Sequence, residues 1–129
     1  MKFFYCSFFA VGLLLLAAAC TADELPMPEP RDCGGVENPT YEVDIEPIMA
    51  RSCAYSGCHL DVGPGLYNTY EGMLRDLRSG LFRERTILLR TDPIKGMPPT
   101  YAPANRPEEL AEEELKIIEC WLDAGFPKE

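Results

Sequence analysis

The sequence predicts a small all-α domain, because three segments space their apolar residues as helices do. The segments begin near Tyr41, near Asn68 and near Asn105, and Gly-Pro-rich stretches separate them. A chain of 129 residues is long enough for one such domain.

Residues 1–19 are predicted to be a lipoprotein signal peptide. Lys2 precedes an apolar run from Phe3 to Ala19, and small residues come last, as in an export signal. The sequence Leu16-Ala17-Ala18-Ala19-Cys20 resembles a bacterial lipobox, which implies cleavage before Cys20 and lipid on its sulfur. An uncleaved signal anchor or an ordinary cleaved signal is the alternative. We therefore expect the domain to lie in the bacterial cell envelope, lipid-anchored to a membrane at the periplasmic face or the cell surface.

Residues 20–40 are predicted to be a tether, and residues 41–129 the domain. The tether combines acidic residues with Pro26, Pro28, Pro30 and Pro39, a composition that cannot bury a core.

The first helix is expected to begin at Asp44 as its cap, with Pro47 tolerated in the first turn. Its apolar face consists of Tyr41, Ile45, Ile48 and Met49.

The second helix is expected to begin at Asn68 or Thr69, with Glu71 as in a capping box, and to end at Gly80. From Leu81 to Arg90 the pattern allows either a helical turn or an extended segment.

The last helix is expected to begin near Asn105 or Pro107 and to end at Gly125. Its apolar positions sweep a wide arc, which predicts contacts on two sides. They are Leu110, Leu115, Ile117, Ile118, Trp121 and Leu122.

Two thiols and the only histidine of the chain fall within one short stretch, Cys53 to His59. Two cysteines followed at once by a histidine are typical of c-type haem attachment, where the thiols add to the porphyrin vinyls and the imidazole binds iron. Four residues separate Cys53 from Cys58 where two are usual, so we expect a bulged loop, which Gly57 can form at positive φ.

Met97 lies between Gly96 and two prolines, in a stiff non-helical loop. This placement suits a second axial ligand, so His59 and Met97 are the predicted metal ligands. A core-filling role is the alternative for a methionine. Met49 and Met73 are the other candidates for this ligand, but both fall on the apolar faces of predicted helices, which explains them better as core residues.

Cleavage of the signal and lipidation of Cys20 leave four cysteines. If Cys53 and Cys58 hold haem, the other two are Cys33 and Cys120, and we predict that they form a disulfide. One alternative is a non-redox lipoprotein module with two ordinary disulfides and no cofactor. Another is a zinc site built from Cys53, Cys58, His59 and one further cysteine.

Several pieces, in this order, resemble the small monohaem c-type cytochrome domains of planctomycetes and Bacteroidetes. They are Asp44-Ile45-Glu46-Pro47-Ile48, Cys58-His59, Leu66-Tyr67-Asn68-Thr69-Tyr70-Glu71-Gly72, Met97-Pro98-Pro99 and Cys120-Trp121-Leu122-Asp123-Ala124-Gly125. The similarity covers Tyr41 to Phe126. It implies a cytochrome c-like helical fold, with the first and last helices packed across each other beside one covalently attached haem c. It also implies Cys53 and Cys58 as thioether partners, His59 as proximal ligand and Met97 as distal ligand.

Iron held at both axial positions favours one-electron transfer, so we expect an electron-transfer protein, or a subunit of a redox complex, without enzymatic activity or a small-molecule substrate. The net charge of −9 disfavours nucleic acid and favours redox partners with a basic docking surface. Arg83, Arg85 and Arg90 are candidates to neutralise haem propionates, although exposed surface charge is the commoner role of such residues.

Overall fold

A computed structural model of the protein describes residues 30–61, 63–101 and 109–129. The signal peptide, Cys20 and most of the tether lie outside the described residues. Arg31–Glu129 form one compact unit. The described residues form helices and loops and contain no strand, which confirms the all-α prediction for this part of the chain. None of the helices in these ranges has the length and apolar character that a membrane crossing requires.

The first helical segment begins earlier than predicted. A π-helical turn, Tyr41–Ile45, leads directly into α1, Glu46–Ser52. Asp44 therefore lies inside the helical segment and is not its cap. Its carboxylate accepts a hydrogen bond from the backbone N–H of Thr40 at 2.8 Å, while the Thr40 carbonyl accepts from the Asp44 N–H at 3.0 Å. These reciprocal bonds start the helix at Thr40.

The second helix, α2, spans Tyr70–Arg78 and is close to its predicted bounds. Thr69 is its N-cap, because the Thr69 hydroxyl accepts from the Gly72 N–H at 3.1 Å. Gly80, at φ +77°, ends the segment as expected. The chain then remains helical through α3, Leu81–Arg83, and a π-helical turn, Glu84–Leu88, so the helical alternative for this region is the observed one.

The last helix, α4, spans Glu112–Asp123 and begins later than predicted. Residues 109–111 are not helical, and residues 102–108 lie outside the described part of the chain. Ala111 is the N-cap because the Glu114 carboxylate reaches back and accepts from the Ala111 N–H at 2.9 Å. Gly125, at φ +83°, follows the end of the helix as predicted.

Trp121 lies at the centre of the core and is fully buried. Its ring contacts Tyr41, Phe82 and Phe126, with centroid separations of 6.3, 6.4 and 6.2 Å. Its indole N–H donates to the Pro127 carbonyl at 2.9 Å, so the buried donor is satisfied. These contacts join the first helical segment, α3 and α4 around a single side chain.

A disulfide joins Cys33 to Cys120, the pairing predicted from the sequence, with the two Cα atoms 5.7 Å apart. It fixes the segment before the first helix against α4. Gly34 lies so close to α4 that a Cβ atom there would stand 2.6 Å from the Glu113 carbonyl oxygen. Lys116 and Asp32 form an exposed ion pair across the same contact.

Candidate functional site

One cavity of about 250 Å³ is lined by all four residues of the predicted ligand set: Cys53, Cys58, His59 and Met97. The two thiols and the imidazole reach it from the loop after α1, and the thioether from the loop after the second π-helical turn. Tertiary structure therefore brings together two segments that are far apart in the sequence.

Cys53 is delivered by α1, whose last turn extends to it through a hydrogen bond from the Cys53 N–H to the Met49 carbonyl at 2.8 Å. Its side chain is buried, and burial, with a smaller contribution from Cys58, raises the pKa of the Cys53 thiol to about 12. Cys53 is therefore a neutral thiol. Both Cys53 and Cys58 are free.

The four-residue spacer forms the expected bulged loop. Gly57 adopts φ +86°. The Cys58 N–H donates to the Tyr55 carbonyl at 3.0 Å, and the His59 N–H returns to the Cys53 carbonyl at 3.2 Å. The Asp61 carboxylate also accepts from the Ser56 hydroxyl at 2.7 Å and from the Gly57 N–H at 3.0 Å. These bonds hold the loop in one shape.

The His59 ring is held on one edge and on one face. Its Nδ1 lies 2.9 Å from the Gly65 carbonyl oxygen, which can only accept, so Nδ1 carries the hydrogen. The lone pair is therefore on Nε2, the atom that would bind a metal. One face of the ring stacks on Tyr67, with centroids 4.0 Å apart and an interplanar angle of 4°.

Met97 lies in a loop that has its own network of hydrogen bonds. The Met97 N–H donates to the Arg85 carbonyl at 3.1 Å, and the Arg85 guanidinium donates to the Lys95 carbonyl at 3.1 Å. The Asp92 carboxylate accepts from the N–H groups of Ile94 and Lys95, and these bonds lower the pKa of Asp92. Met97 is half-buried, whereas its rivals Met49 and Met73 are fully buried in the core, as helix-face positions predict.

Of the three arginines considered as propionate partners, Arg85 lines the cavity. Its Nε is buried and has no hydrogen-bond partner in the described part of the chain. The same is true of the hydroxyl of Ser52, another residue that lines the cavity. Arg83 pairs with Asp123, and Arg90 with Glu112 at 3.3 Å. Arg85 is thus the candidate that remains available to an acidic ligand.

The sequence did not single out Tyr67 or Asp76 as site residues, yet both line the cavity. Asp76 is buried, and it accepts from the Tyr67 hydroxyl at 2.8 Å. A signal was present in the sequence. Asp76 follows Met73 by three positions and adjoins Leu77, which places a carboxylate on the apolar face of α2.

The structure describes four cysteines that the two alternatives would use. Cys33 and Cys120 are bonded to each other, so neither is available as a fourth zinc ligand. Within the described ranges, no group of three or more His, Cys, Asp and Glu side chains is arranged to hold a metal ion. The second of two ordinary disulfides is also not formed, because Cys53 and Cys58 are free.

Comparison with protein-family models, with curated proteins and with solved structures finds no match to this chain.

Proposed function

We propose that the protein is a monohaem c-type cytochrome, which carries single electrons outside the cytoplasm and is anchored by lipid on Cys20. The observation that carries the proposal is that both free thiols, the single imidazole and one thioether line the same cavity. These are the four groups that a covalently attached haem with His/Met ligation requires.

The donor set fits a haem in three respects. The thiols of Cys53 and Cys58 are reduced, while the other described cysteine pair is oxidised. His59 presents Nε2 because Nδ1 is bound to a carbonyl, the usual arrangement of a metal-binding histidine. Arg85 lines the cavity, and a guanidinium suits a propionate. The volume of about 250 Å³ is just below the range of about 300–1,000 Å³ typical of ligand pockets, so haem attachment requires the cavity to widen.

Iron with one imidazole and one thioether ligand exchanges single electrons, and the thioether raises its reduction potential. The residues of this chain would position the haem. Cys53 and Cys58 would hold the group, His59 and Met97 would bind its iron, and the aromatic core next to the cavity would keep water out. If His59 and Met97 both bind the iron, an enzymatic reaction at the metal would not be expected.

The mass and the visible spectrum of the protein test this function together. Protein exported by cells with haem-maturation machinery should carry the mass of one haem that survives acid-acetone extraction, and should show sharp α and β bands on reduction. A mass equal to the bare polypeptide plus acyl chains, with a featureless spectrum, would leave the non-redox lipoprotein module as the better proposal.

The axial methionine has its own test. Met97→Ala should abolish the long-wavelength thioether-to-iron absorption band of the oxidised protein while leaving the covalent haem in place. Met73→Leu, in the core, is the matched control and should keep the band. Survival of the band in the Met97 variant would remove this residue from the ligand set.

A further inference from the structure

A buried polar pair, Tyr67 and Asp76, borders the cavity but is not part of the proposed ligand set. The two side chains are 7% and 2% exposed, and the Tyr67 hydroxyl donates to Asp76 Oδ2 at 2.8 Å. Burial raises the pKa of Tyr67, so the phenol keeps its proton and remains the donor. A buried carboxylate costs free energy even when it is paired, so this pair calls for an explanation beyond packing.

The pair leads directly to His59. The Tyr67 ring stacks on the imidazole, and Gly65, whose carbonyl accepts from His59 Nδ1, lies against both members of the pair. A Cβ atom at Gly65 would stand 2.7 Å from Asp76 Oδ2 and 2.9 Å from Tyr67 Cε1. One member of the pair is therefore the ring stacked on the imidazole, and both members lie against Gly65, whose carbonyl accepts from it.

Arg75 ties the same loop to α2. Its Nε donates to Asp76 Oδ1 at 2.9 Å, and its Nη2 donates to the Pro64 carbonyl. Both oxygens of the buried carboxylate are thus bonded, Oδ2 to Tyr67 and Oδ1 to Arg75, which also bonds the loop. A displacement of Asp76 would therefore shift His59 in two ways, through the Tyr67 ring and through the loop.

We propose that Tyr67 and Asp76 are positioning residues that fix the ring plane of His59 and, through Gly65, its Nδ1–H tautomer. The purpose of this arrangement rests on the proposed function, because an axial imidazole must be held in one orientation toward the iron. The placement of the ring, however, can be measured without haem.

The first experiment uses the full mature chain exported without haem-maturation machinery. His59 is the only histidine, so its imidazole gives a single set of NMR signals. Tyr67→Phe removes only the hydroxyl. The double variant Tyr67→Phe/Asp76→Leu removes both partners, which can leave stability nearly unchanged. Tyr70→Phe is the matched control, since its hydroxyl donates to the Phe126 carbonyl at 2.9 Å.

Both Tyr67 variants should displace the His59 ring signals and speed Hδ1 exchange about fivefold, which corresponds to one lost hydrogen bond of about 1 kcal/mol. Tyr70→Phe should do neither. Unchanged His59 signals in the stable double variant, or an equal change in the control, would overturn the positioning role.

The second experiment repeats the comparison on haem-loaded ferric protein, in which the paramagnetic shifts of the haem methyl groups report the plane of the axial imidazole. Tyr67→Phe should change the pattern of shifts while the covalent haem and the methionine band persist. An unchanged pattern would refute the positioning role alone. Absence of covalent haem in the unsubstituted protein would refute the proposed function, and the haem-free measurement on His59 would still decide the positioning role.

Discussion

Removal of the Cys33–Cys120 disulfide should destabilise the domain strongly, because the bond closes a long loop. The two residues are separated by 87 positions, and a loop of this length restricts the unfolded chain by about 4 to 5 kcal/mol in the chain-entropy treatment. This is a large share of the stability of an ordinary domain. Cys33→Ala/Cys120→Ala should therefore lower the free energy of unfolding by about that amount.

Urea unfolding, followed by the fluorescence of Trp121, measures this loss. Trp121 is the only tryptophan, and it adjoins the buried Cys120, so the signal reports the packing of α4. Reduction of the disulfide in the unsubstituted protein should give a similar loss. All variants are compared as haem-free protein, in which Cys58 is a free thiol, so Cys58→Ala is the control for removing a thiol without removing a cross-link. A loss below about 1 kcal/mol would show that the contacts of Gly34 and Asp32 with α4 hold the segment without the bond, and would refute the entropic argument.

Three further predictions concern single side chains. Burial raises the pKa of Tyr41 to about 12, so stability should fall as pH rises from about 10, where the unfolded chain ionises, to about 12. Between pH 9 and pH 11 the free energy of unfolding should fall by about 1 kcal/mol on this account, and Tyr41→Phe should remove that share of the fall. Gly65→Ala should cost about 1–3 kcal/mol in urea unfolding, because its Cβ atom would meet Asp76 and Tyr67 within 3 Å; an unchanged midpoint would contradict the close approach. Arg85→Gln should lower the midpoint potential of haem-loaded protein in a redox titration, since loss of a cation disfavours Fe(II), and the exposed Arg78→Gln should change it less.

The ends of a helix were predictable where the residues that set them lie within one turn of that end. The amphipathic faces and the terminal glycines placed α2 close to its observed bounds, because Thr69 and Gly80 act within one turn of their own positions. The start of α4 was predicted wrongly. A run of good helix-forming residues does not show which side chain satisfies the first amides, and here Glu114 does so by bonding the Ala111 N–H.

The sequence by itself determined that two thiols and an imidazole lie together, since Cys53 to His59 are neighbours in the chain, and that Gly57 would turn the loop between them. It also indicated the partners of the disulfide. Only the tertiary structure decided that Met97 lines the same cavity and that Tyr67 and Asp76 border it. The physical reason is that a contact between distant segments depends on how the helices pack, and no local pattern records which side chains the packing brings together.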